Sequence, residues 1–165
     1  PLYRMLFMQV FVRAVCTATL GACEGALDAY IEVARTRQVG PNKMKNDPFA
    51  RVIAAEVKAS IEEMKLTLIR NFDAMMACCR AGVPIPIEDR VRYRYDSAVV
   101  ADRCLALSSK MLKAAGSGGI RLDSELLAFH LDILASQAHV ANHSTPFASN
   151  LGGVVFGEEN ADFAL

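Results

Sequence analysis

Proline and glycine gather at only four places in this 165-residue chain, and the runs between them repeat at three and four residues, never at two. A chain punctuated in this way forms long helices, which must bury apolar stripes against one another. The first helix is expected from about Tyr3 to Arg37. Leu6, Val10, Ala14, Ala18, Ala22, Ala26 and Tyr30 recur every four residues, and Phe7, Phe11, Val15 and Leu27 widen the stripe. Gly21 and Gly25 in its middle cost roughly 1 kcal/mol each against alanine, so a tightly crossing neighbour must offset them. Residues 38–47, QVGPNKMKND, read as a loop. Asp47 as N-cap and Pro48 at the first helical position open a second helix to about Ala81. Its stripe is Phe49, Ile53, Val57, Ile61, Met64, Leu68, Phe72, Met75 and Cys79. After Gly82 and the stiff VPIP link, a third helix runs from Pro86 to about Ala115, with Glu88 and Asp89 suiting its dipole. Val91, Tyr95, Ala98, Val99, Leu105, Met111 and Leu112 are expected inside. The turn GSGG, Gly116 to Gly119, follows. Asp123, Ser124 and Glu125 signal a fourth helix from Ser124 to about Val140. A short fifth is expected from Pro146, capped by Thr145, to near Gly157. No strand is expected.

The expected fold is therefore all-α: an up-down four-helix bundle with a short extra C-terminal helix, residues 1–165 forming one domain. Met75, Met76, Cys78 and Cys79 cover more than one helix face, and the surplus apolar surface points to a dimer or tetramer. Equal counts of 18 basic and 18 acidic residues argue against nucleic acid as a partner. Gln9, Arg13, Thr17 and Thr19 interrupt the apolar start, so neither a membrane span nor a leader is expected. Five cysteines with no CxxC pair suit a reducing compartment, and they read as small core residues.

Three groups of residues could carry chemistry. His139 and His143 stand four apart, but no acid lies between them and Asp132 is expected on another face, so no metal site is assigned. Either helix-end histidines bonded to backbone or a ligand-facing imidazole fits the pattern. Arg35 and Arg37, with Lys43 and Lys45 beyond, gather at one helix end, which suits either the dipole or a phosphate. Arg90, Arg92 and Arg94 spread around their helix and read as surface or interface. The GSGG turn lacks the preceding strand of a dinucleotide fingerprint, and no GxSxG elbow occurs.

The long helix LGACEGALDAYIEVARTR, the A-G-x-G-G-I turn at 115–120 and a following helix ending in histidine resemble the C-terminal helical domain of the acyl-CoA dehydrogenase superfamily. The likeness covers essentially the whole chain and is greatest to the branch of two-component flavin-dependent monooxygenases. It implies that this chain is the C-terminal part of a larger cytoplasmic flavoenzyme whose bundles build a tetramer. Reduced FMN or FAD would come from a separate flavin reductase component, and a small aromatic substrate would be hydroxylated through a flavin peroxide. His139 would face the reactive part of the flavin. Ala115, Gly116, Ser117, Gly118 and Gly119 would approach the flavin of an adjacent subunit, and Arg35 or Arg37 would meet a flavin phosphate. The usual carboxylate base of acyl-CoA dehydrogenation falls near Val140, and the first helix has no acid before Glu24. That argues against dehydrogenation, which stays as an alternative beside a non-catalytic oligomerisation module. The family's usual arginines are replaced by Ala128 and Leu131.

Overall fold

A computed structural model describes residues 2–165. Its main elements are α1 (Phe7–Thr36), β1 (Gln38–Val39), β2 (Asn42–Lys43), α2 (Pro48–Ala81), α3 (Ile87–Ala115), α4 (Glu125–Ser136) and α5 (Ser144–Val155). Cross-helix contacts give the directions. Tyr30 bonds the carbonyl of Ala50, and Lys65 meets Glu24, so α1 and α2 are antiparallel. Asn71 to Asp96 and Arg103 to Glu63 reverse the chain again into α3. Gly25 against Phe129 and Phe11 against His139 set α4 antiparallel to α1. The four helices thus run up-down-up-down, as expected, and α5 packs on α3.

The stripe on α2 is buried at Val57, Ile61, Met64, Leu68, Met75 and Cys79, half-buried at Ile53 and Phe72, and exposed at Phe49. The stripe on α1 is buried only at Ala26, Leu27 and Tyr30. Ala14 and Ala18 face outwards, and the core is met by Val12, Cys16, Leu20, Cys23, Ala26, Leu27 and Tyr30. Because α1 is apolar almost all round, a four-residue repeat can be traced along more than one face. Its length and apolarity alone would also allow a membrane crossing, contrary to the sequence expectation; here that helix is packed on α3 and α4. The expected tight crossing occurs at Gly25, where a Cβ would come within 2.4 Å of the Phe129 ring, whereas Gly21 faces open space. On α3, Val91, Ala98 and Met111 are buried; Tyr95, Val99, Leu105 and Leu112 are only half-buried.

Three local expectations are corrected. Residues 38–43 form a two-residue antiparallel hairpin, Gln38 opposite Lys43, with Gly40 at φ 59°. α5 begins at Ser144, two residues early, with His143 rather than Thr145 at its N-cap. Arg94 is buried at 5% exposure instead of lying at the surface. Its guanidinium rests 3.7 Å from the Phe147 ring and 3.8 Å from Asp162 of the C-terminal tail.

The tail is fastened by side-chain amides. Asn150 Nδ2 donates to Asn160 Oδ1 at 2.8 Å, and Asn150 Oδ1 accepts from the Ala161 N–H at 2.8 Å. All five cysteines are free; four are buried and Cys78 is half-buried. Burial pushes the Cys16 thiol up to about 11, and contact with Cys23 followed by burial pushes Cys104 up as well. Alkylation of the native protein at pH 8 should therefore modify Cys78 first and reach Cys16, Cys23 and Cys104 only in denaturant. Peptide mass mapping checks the order.

Candidate functional site

His139 does not end a helix. α4 stops at Ser136, four residues short of the expected Val140, because short polar side chains offer the backbone other partners. The Ser136 hydroxyl bonds back to the Ile133 carbonyl at 2.7 Å. Asn142 Nδ2 donates to the Ser136 carbonyl at 2.9 Å. His139 itself is extended, and its Nδ1 accepts the Ala141 N–H at 3.1 Å. That bond fixes the tautomer: the neutral ring carries its proton on Nε2, which leaves a donor free.

The chain doubles back here and carries the imidazole to the α1 side, with its ring centroid 5.8 Å from that of Phe11. It is solvent-exposed at one edge of an open cleft of about 510 Å³ between α1 and α4. Val15, Ala18, Ala22 and Ala135 make an apolar, mostly small-residue wall, and Thr19, Asp132, Ser136 and Asn142 supply the polar part. Asp132 thus shares the cleft with His139, although no ion pair joins them; the early end of α4 is what undoes its expected placement on another face. Thr19 and Asn142 are buried at 3% and 1% exposure, and each buries an oxygen with no partner among the described residues. Neither was singled out in the sequence, because a threonine and an asparagine among helical residues carry no spacing signal. His130 is a satisfied seam residue, its Nδ1 3.0 Å from the Ser108 hydroxyl. His143 is exposed at the start of α5.

The glycine turn lies at the other end of α1. Ala115 and Gly119 are buried, Gly116 and Gly118 half-buried, and Ser117 exposed. Gly116 caps α3 with φ 60° and ψ −149°, a region open essentially only to glycine. A Cβ there would come within 2.9 Å of the Arg37 guanidinium. The structure therefore brings Arg37 and the turn together. Arg37 also lines a cleft of about 530 Å³ with Lys110, Lys113, Val39, Phe49 and Ile53. Arg35 does not join them: it is exposed, 3.7 Å from Glu32, and lines a separate cleft with Lys45. Gly116→Ala should cost about 1–3 kcal/mol of stability from the backbone alone, and it should displace Arg37. A thermal melt with an unchanged midpoint would contradict this.

Between Ala18, beside His139, and Thr36, beside the turn, α1 rises roughly 1.5 Å per residue, so the two ends stand about 30 Å apart. One protomer cannot close both around the same small ring.

The acyl-CoA dehydrogenase, C-terminal domain family matches residues 14–144. The flavin-dependent monooxygenase oxygenase subunit HsaA of Mycobacterium tuberculosis is 29% identical over 145 residues, covering 86% of this chain and 37% of that protein. A pigment production hydroxylase of Rhodococcus erythropolis is 28% identical over 139 residues, covering 84% of this chain and 35% of that protein. The chain thus spans a little over a third of the length of these curated relatives. Among solved structures, 3-HSA hydroxylase from Rhodococcus sp. RHA1 superposes with a TM-score of 0.89 at 27% identity, over 99% of this chain and 43% of that one. Butyryl-CoA dehydrogenase from Megasphaera elsdenii superposes at 0.70 with 17% identity, over 90% of this chain and 37% of that one, a likeness of fold alone.

Proposed function

The chain belongs to the acyl-CoA dehydrogenase C-terminal domain family, and from that premise we propose that it is the bundle part of a reduced-flavin-dependent monooxygenase that hydroxylates an aromatic substrate. The observation that carries the reading is His139, its Nε2–H left free at the edge of a small-residue cleft. The curated relatives reported above are a flavin-dependent monooxygenase oxygenase subunit and a pigment production hydroxylase. A separate reductase would supply the flavin as FMNH2 or FADH2, and the small aromatic substrate would be contacted largely outside these residues.

The cleft suits a flat ring. Alanines at 18, 22 and 135 let a planar group lie close to the helix surfaces, and the buried oxygens of Thr19 and Asn142 lack partners in the same wall. Bound there, reduced flavin supplies the electrons that activate dioxygen. The chain's own residues do the rest. His139 would donate a hydrogen bond from Nε2. The alanine wall excludes water from one ring face. Arg37, beside Gly116, suits the flavin phosphate, since a guanidinium binds such oxygens in a fork and a glycine allows close approach. Because these two ends are about 30 Å apart along α1, the arrangement supports a flavin held between subunits, hence a dimer or tetramer. Ala128 and Leu131 are exposed on α4 where the family usually has arginines, so subunit contact there would be apolar.

One observation favours a second reading: Asp132 places a carboxylate in the same cleft, where acyl-CoA dehydrogenation would need a base. A single experiment separates them. The protein carrying this chain is given reduced FMN or FAD, dioxygen and a phenol, and hydroxylated product is measured; in parallel, acyl-CoA is added to the oxidised flavin form. Product in the first arm and no bleaching in the second supports the oxygenase. Bleaching without hydroxylation assigns the dehydrogenase, and no flavin binding in either arm leaves a bundle that serves assembly alone.

A further inference from the structure

We propose that Asn142 is the positioning residue for His139, holding the imidazole in the tautomer that leaves Nε2–H free; this rests on the oxygenase reading only for what His139 then does. The turn from Ser136 to Asn142 closes on itself through a few hydrogen bonds. The Ser136 carbonyl receives both the His139 N–H at 3.2 Å and Asn142 Nδ2 at 2.9 Å. The Asn142 N–H returns to the His139 carbonyl at 2.9 Å. Asn142 therefore grips His139 from the backbone on one side and the end of α4 from its side chain on the other. The imidazole contact depends on that grip, because His139 Nδ1 can meet the Ala141 N–H only while residues 140–142 keep their 3-10 turn.

The side chain is costly where it is. Asn142 is 1% exposed and its Oδ1 has no partner among the described residues, and an unpaired buried acceptor is destabilising. An alanine would avoid the unpaired oxygen but leave the backbone bonds of the turn without side-chain support. What it would lose is the link from Nδ2 to the Ser136 carbonyl, which spans the turn that presents His139.

Nitrogen NMR of the imidazoles in the protein carrying this chain tests the proposal, with His139→Ala to assign the signal. In the wild type, His139 should be predominantly the Nε2–H form. Asn142→Ala should turn it into a tautomer mixture. Asn142→Asp, which keeps the shape and loses the Nδ2 donor, should do the same. Both should lower coupled hydroxylation by at least tenfold with little change in KM for the phenol. A shifted tautomer without any flavin-linked activity would keep the positioning role and remove the oxygenase reading. Unchanged His139 tautomer in both variants, with a native melting curve, would overturn the proposal.

Discussion

His139→Ala should lower hydroxylated product per reduced flavin by about 10²-fold, the scale seen when one oriented donor is removed from a reaction site, with the consumed dioxygen appearing as hydrogen peroxide instead. The residue does two jobs in this structure. Its Nδ1 caps the Ala141 N–H, and its Nε2–H has no hydrogen-bond partner among the described residues. Alanine loses both, and loss of the cap alone costs about 0.5–2 kcal/mol. Asparagine separates them, since its oxygen bonds a backbone N–H two residues on while its amide still donates. His139→Asn should thus keep the wild-type melting point and recover part of the coupling. Simultaneous measurement of oxygen uptake, peroxide and product checks this. If the alanine variant stays fully coupled, the imidazole has no part in the chemistry.

The second large effect lies far from the cleft. Asp162→Ala should destabilise the protein by about 3 kcal/mol, the low end of the cost of leaving a buried ion without its partner. Arg94 and Asp162 have side chains only 6% and 12% exposed, and at 3.8 Å they attract without a hydrogen bond, which is why the low end applies. Burial depresses the Arg94 guanidinium from its ordinary range, and Asp162 opposes that shift. Removing the acid therefore leaves a charge that can neither leave nor easily lose its proton. The double variant Arg94→Met with Asp162→Ala should recover most of the loss, because methionine can fill the space against Phe147. Urea denaturation of the wild type, the Asp162→Ala and Arg94→Met single variants and the double variant measures the cycle; full additivity of the two single losses would show that the pair does not interact.

Much of this architecture was legible in the chain. Pro48 after Asp47 and Gly82 marked both ends of α2, where Asp47 indeed accepts the Phe49 N–H at 2.9 Å and Gly82 is left-handed. The GSGG turn and Ser124 marked the boundaries of α3 and α4 in the same way. The buried face of α1 was hidden, since a helix with alanine and aliphatic residues on every side does not announce which one meets the core. Arg94 was hidden for a different reason: what buries it is Phe147 and Asp162, more than fifty residues away, and no local spacing records them. The site was half visible. His139 and Arg37 are polar residues at expected helix ends and could be named, but the turn that aims His139 depends on Ser136 and Asn142 bonding to backbone, a competition that periodicity cannot weigh.

The alternation of helix directions has an electrostatic consequence at the Arg37 end. The carbonyl ends of α1 and α3 converge there, each worth about half a negative charge, and they would on their own blunt the pull of nearby cations. The amide ends of α2 and α4 start at the same pole and bring the opposite partial charges. The backbone contributions nearly cancel, so the field met by an arriving anion is set by side chains, Arg37, Lys110 and Lys113 against the Asp47 carboxylate in the same cleft.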